Sequence, residues 1–107
     1  MMLLFVESKT FTRRVAELLT DDDYRQLQWW LADNPESGDL IQGTGDARKL
    51  RWKLPGRGKS GSLRVIYFHQ KVGMIWMLFL YKKVRQADLS ADEKQILYKL
   101  TREIKND

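Results

Sequence analysis

The run Arg48-Lys49-Leu50-Arg51-Trp52-Lys53-Leu54 alternates without a break, apolar at 50, 52 and 54 and basic at 49, 51 and 53. Successive side chains of an extended strand point to opposite faces, so the spacing predicts a strand with one face buried and the other strongly cationic. Downstream, Leu63 to His69 and Met74 to Tyr81 read as two further strands, joined through Gln70 to Gly73 as a hairpin. Met74 to Tyr81 is apolar on both faces and belongs in a sheet interior. Pro55-Gly56-Arg57-Gly58-Lys59-Ser60-Gly61 reads as a flexible connection.

Upstream, Leu3 to Glu7 reads as a short first strand. Ser8 to Leu19 carries Phe11, Val15 and Leu18 at helical spacing, with Arg13, Arg14 and Glu17 facing outward. Thr20 before Asp21, Asp22 and Asp23 is an N-cap signal, since a hydroxyl caps the helix and acids suit its positive end. That second helix has Tyr24, Leu27 and Leu31 as its inner stripe and ends before Asn34-Pro35. Two helices joined so tightly are expected to form an antiparallel hairpin. Glu36 to Gly45 is polar and glycine-bearing, a loop. Ser90 and Glu93 form a capping box for a last helix with Ile96, Leu97, Leu100 and Ile104 inward. The expected class is α+β, in the order β-α-α-β-β-β-α, with helices on a small, mostly antiparallel sheet of three to four strands. At 107 residues, 1–107 is expected to be one domain.

Charge is unevenly placed. Ala47 to Ala87 holds 11 of the 19 basic residues and no Asp or Glu, while the remainder has 8 basic residues against 14 acidic ones. A field of one sign concentrated on a small domain attracts polyanions, RNA above all; the plainer alternative is a solvated surface. With no cysteine, there is no disulfide, thiolate metal site or thiol nucleophile. The N-terminus lacks a secretory pattern and no apolar run reaches membrane-spanning length, so a cytoplasmic protein without membrane contact is expected. A DNA-binding regulator is disfavoured, because no helix has a basic face to enter a groove.

Gly58-Lys59-Ser60 invites a phosphate-loop reading, but the required earlier glycine is Lys53 and no strand-end carboxylate follows to hold magnesium. Arg57 and Lys59 then either touch RNA phosphates or serve solubility. His69 is the one histidine, which excludes a histidine acid–base pair. Carboxylates sit in helix starts and loops rather than in a metal-binding cluster, so neither metal nor other cofactor is expected. Arginine, lysine and tyrosine remain. They suffice for RNA cleavage, because the substrate's own 2′-hydroxyl is the nucleophile. Arginine's planar fork suits the phosphate oxygens. A lysine among like charges loses its proton more readily and can exchange it. The candidate catalytic residues are Lys49 and Arg51 on one strand face, Arg64 on the strand beside it, and Tyr81 and Lys83 at the end of the last strand. Lys53, Arg57, Lys59 and Lys82 are candidate substrate-binding residues. Trp52 and Trp76 read as core, and at most one of Trp29 and Trp30 can face it.

Gly38-Asp39-Leu40-Ile41-Gln42-Gly43-Thr44-Gly45, then Ala47-Arg48-Lys49-Leu50-Arg51, resembles the HigB branch of the RelE toxin superfamily. So do Gly56-Arg57-Gly58-Lys59-Ser60-Gly61 leading into Leu63-Arg64-Val65-Ile66-Tyr67-Phe68, Leu80-Tyr81-Lys82-Lys83, and Ala87-Asp88-Leu89-Ser90. The resemblance implies a compact domain that enters the ribosomal decoding site and cuts mRNA, held inactive by a cognate helix-turn-helix antitoxin protein. By position, the family's basic strand residues fall on Lys49 and Arg51, its phosphate-binding arginine on Arg64, and the basic residue after the last strand on Lys83, or Lys82 one register earlier. The chain departs from the pattern at Leu89, where RelE has a tyrosine whose part Tyr81 would take, and at Gly45-Asp46, which replaces a Gly-Gly pair. The alternative is a non-catalytic RNA- or ribosome-binding module, a decayed toxin with the same charge pattern and fold.

Overall fold

The computed structural model describes residues 3–54, 62–71 and 73–106. Its elements are β1 (Leu4–Glu7), α1 (Lys9–Leu18), α2 (Asp21–Asp33), β2 (Asp39–Leu40), β3 (Arg48–Lys53), β4 (Ser62–Gln70), β5 (Met74–Lys82) and α3 (Ala91–Lys105). They form an α+β fold on a five-stranded mixed sheet in the order β1-β5-β4-β3-β2. The expected order of helices and main strands holds, but the sheet is wider than the three to four strands expected. The two-residue β2 pairs with β3 inside the segment read as loop, and β1 lies parallel to β5. Neither short strand has an apolar alternation of its own, and both exist because a long neighbour offers an edge.

Each helix starts where a hydroxyl accepts from the backbone: Ser8 from the N–H of Phe11, Thr20 from Asp23, and Ser90 from Glu93 with the reciprocal Glu93 bond completing the capping box. The Ser8 hydroxyl also donates to the Leu78 carbonyl at 2.7 Å, fastening α1 to β5.

The sheet separates two cores. Phe11, Val15, Leu27 and Leu31 of the first two helices pack on Leu50, Leu63, Val65, Tyr67, Ile75, Met77 and Leu80. On the other face, Leu97 and Ile104 of α3 pack with Ala47, Ile66, Phe68, Leu78, Tyr81 and Leu89. Facing β4, β5 carries one extra residue: Ile66 pairs with Phe79 but Tyr67 with Met77, so Leu78 is bulged. The bulge reverses the alternation along β5. Ile75, Met77 and Leu80 face α1 and α2, whereas Leu78 and Tyr81 face α3.

Some side chains differ from expectation. Ile96 is 59% exposed, because Leu97, Thr101 and Ile104 form the inward stripe of α3 and residue 96 lies a quarter-turn away. Neither Trp29 nor Trp30 faces the core, since Leu27 and Leu31 fill the inner stripe of α2. Trp30 packs at the periphery on Trp52, ring centroids 6.4 Å apart. Trp52 and Trp76 flank the two cores, half-buried, rather than filling them. Asp46 adopts φ 78°, a left-handed conformation that favours glycine, and its carboxylate meets Lys105 at 2.9 Å.

Tyr67 fastens the α2–β2 connection. Its buried hydroxyl donates to the Pro35 carbonyl and accepts from the Gly38 N–H, both at 2.9 Å. A side chain at Gly38 would meet that ring, a Cβ lying 2.9 Å from Tyr67 Cε1. Burial raises the Tyr67 phenol above its ordinary value of 10.0. Tyr67→Phe is expected to cost about 1–3 kcal/mol by stranding both partners, read as a lower urea midpoint at unchanged slope. Above about pH 10 the unfolded chain releases the phenol proton while the folded chain keeps it, so stability falls as pH rises. The variant's alkaline limb should therefore be shallower. Unchanged midpoint and limb would dissociate the hydroxyl from the stability of the loop.

Candidate functional site

The ladder pairs Arg51 with Arg64 and Arg64 with Tyr81, so one row crosses β3, β4 and β5 on the α3 side of the sheet. Paired residues share a face, and the neighbouring row Leu50–Val65–Leu80 points into the opposite core. α3 covers Ile66, Phe68 and Leu78 and leaves the Arg51 end open to solvent. Lys49 and Lys53 bracket Arg51 on the same face.

Arg64 is 7% exposed. Its guanidinium donates to the Ser62 hydroxyl at 3.0 Å and to the Leu63 carbonyl at 3.4 Å. Among the described residues no carboxylate pairs with Arg51 or Arg64. Two like charges directly opposite in a ladder destabilise it by about 0.2–1 kcal/mol, and burial adds to the cost. The arrangement costs stability and leaves the Arg64 guanidinium without a carboxylate among the described residues.

Tyr81 is buried, and among the described residues its hydroxyl has no hydrogen-bond partner. Burial raises its phenol above the ordinary 10.0, with Asp88 and Glu93 adding to the rise and Arg64 opposing it. The group is therefore a phenol and not a phenolate near neutrality, able to donate a hydrogen bond but not to act as a base.

The carboxylate nearest this face is Asp88, which the sequence reading did not single out. It sits 3.7 Å from Lys49 Nζ and accepts from the Leu89 N–H at 2.8 Å. That backbone bond, with Lys49 and Lys94, holds its carboxyl below the usual carboxylate range. Lys49 thus has an opposite charge as its neighbour, not the like charges expected. The signal that could have found Asp88 is its place as the first acid after the acid-free stretch, one residue before the Leu89 that packs with Tyr81.

The remaining candidates divide. Lys82 pairs with Leu63 and so faces the α1–α2 side, away from the row. The Leu78 bulge sets that phase. Strand β5 stops at Lys82, so Lys83 does not continue the Tyr81 face as a strand residue; it is exposed in the following turn, its N–H bonded to the Ser62 carbonyl at 3.1 Å. Arg57 and Lys59, with the Gly58-Lys59-Ser60 run, lie outside the described residues. His69 is remote from the row, 3.7 Å from Glu36. Among the described residues no group of three or more His, Cys, Asp or Glu could hold a metal ion, and no helix is long and apolar enough to cross a membrane.

A family model described as the RelE toxin of the RelE/RelB toxin-antitoxin system matches residues 8–106. The chain belongs to the RelE toxin family. The match spans α1 through α3, and so covers every residue of the row in this RelE-family chain.

Tyr81→Phe removes a buried hydroxyl that no atom of the described residues satisfies. It is expected to stabilise the RelE-family fold by about 1 kcal/mol, seen as a raised midpoint in urea. A lowered midpoint would show that the hydroxyl has a partner in solution, and would remove the case that it is held in reserve for a ligand.

Proposed function

We propose that this chain is a ribosome-dependent mRNA endonuclease, the toxin of a type II toxin-antitoxin module of the HigB branch, acting in the cytoplasm. The observation that carries the reading is the Arg51–Arg64–Tyr81 row, in which a nearly buried guanidinium stands between a second arginine and a phenol, neither the guanidinium paired with a carboxylate nor the phenol hydrogen-bonded among the described residues. Family membership supports the same class of activity.

In this reading the 2′-hydroxyl of the RNA attacks the adjacent phosphorus and the 5′-oxygen leaves, giving a cyclic phosphate without a resident metal. Arg64 holds the non-bridging oxygens and stabilises the crowded phosphorane through its planar fork. Arg51 and Lys49 bind the backbone and assist proton movement, with Asp88 keeping Lys49 in place. Tyr81, held as a phenol, donates a hydrogen bond toward the phosphate oxygens. Lys53 and Lys83, with Arg57 and Lys59, add phosphate contacts. Each group is a weak catalyst alone, so the ribosome contributes by holding the mRNA in a cleavable geometry. A cognate helix-turn-helix antitoxin keeps the protein inactive.

The test adds purified protein to a bacterial cell-free translation reaction and maps mRNA 5′ ends by primer extension. New ends within codons are expected, dependent on ribosomes and insensitive to chelator. Arg64→Ala should lower cleavage about 100-fold or more, the scale of losing one preorganised donor. Arg64→Lys keeps the charge and loses the fork, and should recover only part of it. Intact mRNA with folded, antitoxin-free wild-type protein would instead support a binding module without catalysis.

A further inference from the structure

β1 covers β5 only from Met74 to Met77, so the far end of β5 has no strand on that side. A polar cleft of about 600 Å³ lies there, between α1 and the turn that follows β5. Its lining includes Arg13, Arg14, Lys82 and Arg85, with Glu17 as its one acid. Arg13 and Arg85 are exposed, and Arg14 is steered by its guanidinium lying 4.7 Å from the centre of the Phe79 ring. Among the described residues none of the four cations is paired with a carboxylate. Because the Lys83 N–H bonds back to Ser62 on β4, the Lys82 N–H is turned the other way, toward the uncovered edge.

Tyr81 belongs to both regions, paired with Arg64 in the row and lining the cleft. Only β5, a width of about 5 Å, separates Arg64's strand from that edge. A phosphodiester chain held at Arg64 can therefore pass around the end of β5 onto α1 without leaving cationic surface. These are the arginines that the sequence places on an outward helix face, apart from the acid-free stretch, and the fold returns them to it.

We propose that this cleft is the track of the mRNA strand on one side of the cut, with Arg13, Arg14, Lys82 and Arg85 binding its phosphates; the direction of the substrate rests on the endonuclease reading, and the binding itself does not. An acidic protein segment matches the charge but has no reason to run on into the row, so RNA is the better fit.

The experiment uses the full chain with Arg64→Ala, so that nothing is cleaved, and a fluorescent 12-nucleotide single-stranded RNA read by anisotropy across a potassium chloride series. Arg13→Glu with Arg85→Glu is compared with a charge-matched control, Arg25→Glu with Lys99→Glu. Arg14 is left alone because it packs on Phe79. Each lost phosphate contact on a single strand takes about 0.7 from the salt slope, so the cleft variant should be shallower by about 1.4 while the control keeps the parent slope. Equal losses in the two variants would mean a diffuse field and overturn the cleft. Unchanged oligonucleotide binding with weakened ribosome co-sedimentation would reassign it to ribosomal RNA. A poly-glutamate competitor as effective as RNA at equal charge would reassign it to an acidic protein. If the RNA track holds while wild-type protein fails to cut mRNA on ribosomes, the cleft stands and only the enzyme reading falls.

Discussion

The constraint on which the rest depends is the pairing of β3 with β4. Because side chains alternate with a period of two, setting Leu50 opposite Val65 in the core sets Arg51 opposite Arg64 on the other face. The apolar row holds the register, and the cationic row is carried along with it. Moving Arg51 away from Arg64 by one residue would bury a guanidinium among leucines, which costs far more than the repulsion it would relieve. Burial on one face thus enforces a charge arrangement on the other that would not form by itself.

Several of the acids in the described residues are engaged in local structural roles away from the cationic face. Asp21, Asp22 and Asp23 lie in the first turn of α2, and Glu93 closes the capping box of α3. Glu7 accepts from Tyr24 and Thr12 at 2.6 Å. Glu36 stands near Arg48 and His69. Asp88 reaches the face of the row, where it meets Lys49 rather than either arginine. Arg48, though basic and inside the acid-free stretch, donates to the carbonyls of Glu36 and Gly38 and so holds a loop. A count of basic residues could not separate it from its neighbours.

The long strands and all three helices were legible, because each has an apolar period or a hydroxyl cap that acts within a few residues. The basic face of β3 was legible for the same reason. β1's parallel pairing and β2 were not, since both depend on an edge supplied from far along the chain. The juxtaposition of Lys49, Arg51 and Arg64 could be anticipated from strand order, but the exact partner of Arg51 could not, because the intervening connection does not specify register by composition. Asp88 was missed for a related reason: its role comes from a contact with Lys49, 39 positions earlier in the sequence. The exposure of Ile96, Trp29 and Trp30 shows the limit of apolar spacing, which marks a stripe but not how much of it the sheet covers.

The bulge at Leu78 decides which side chain completes the row. With it, Tyr81 faces α3 and Lys82 faces α1; without it, strict alternation from Met77 would exchange the two. Loss of the Leu78 codon would remove the bulge and leave Tyr81 opposite Arg64, whereas an unbulged strand of the same length would set Leu80 there and turn the phenol to the other face. The group opposite Arg64 is thus set by the one residue of extra length in β5 as much as by the side chains around position 81.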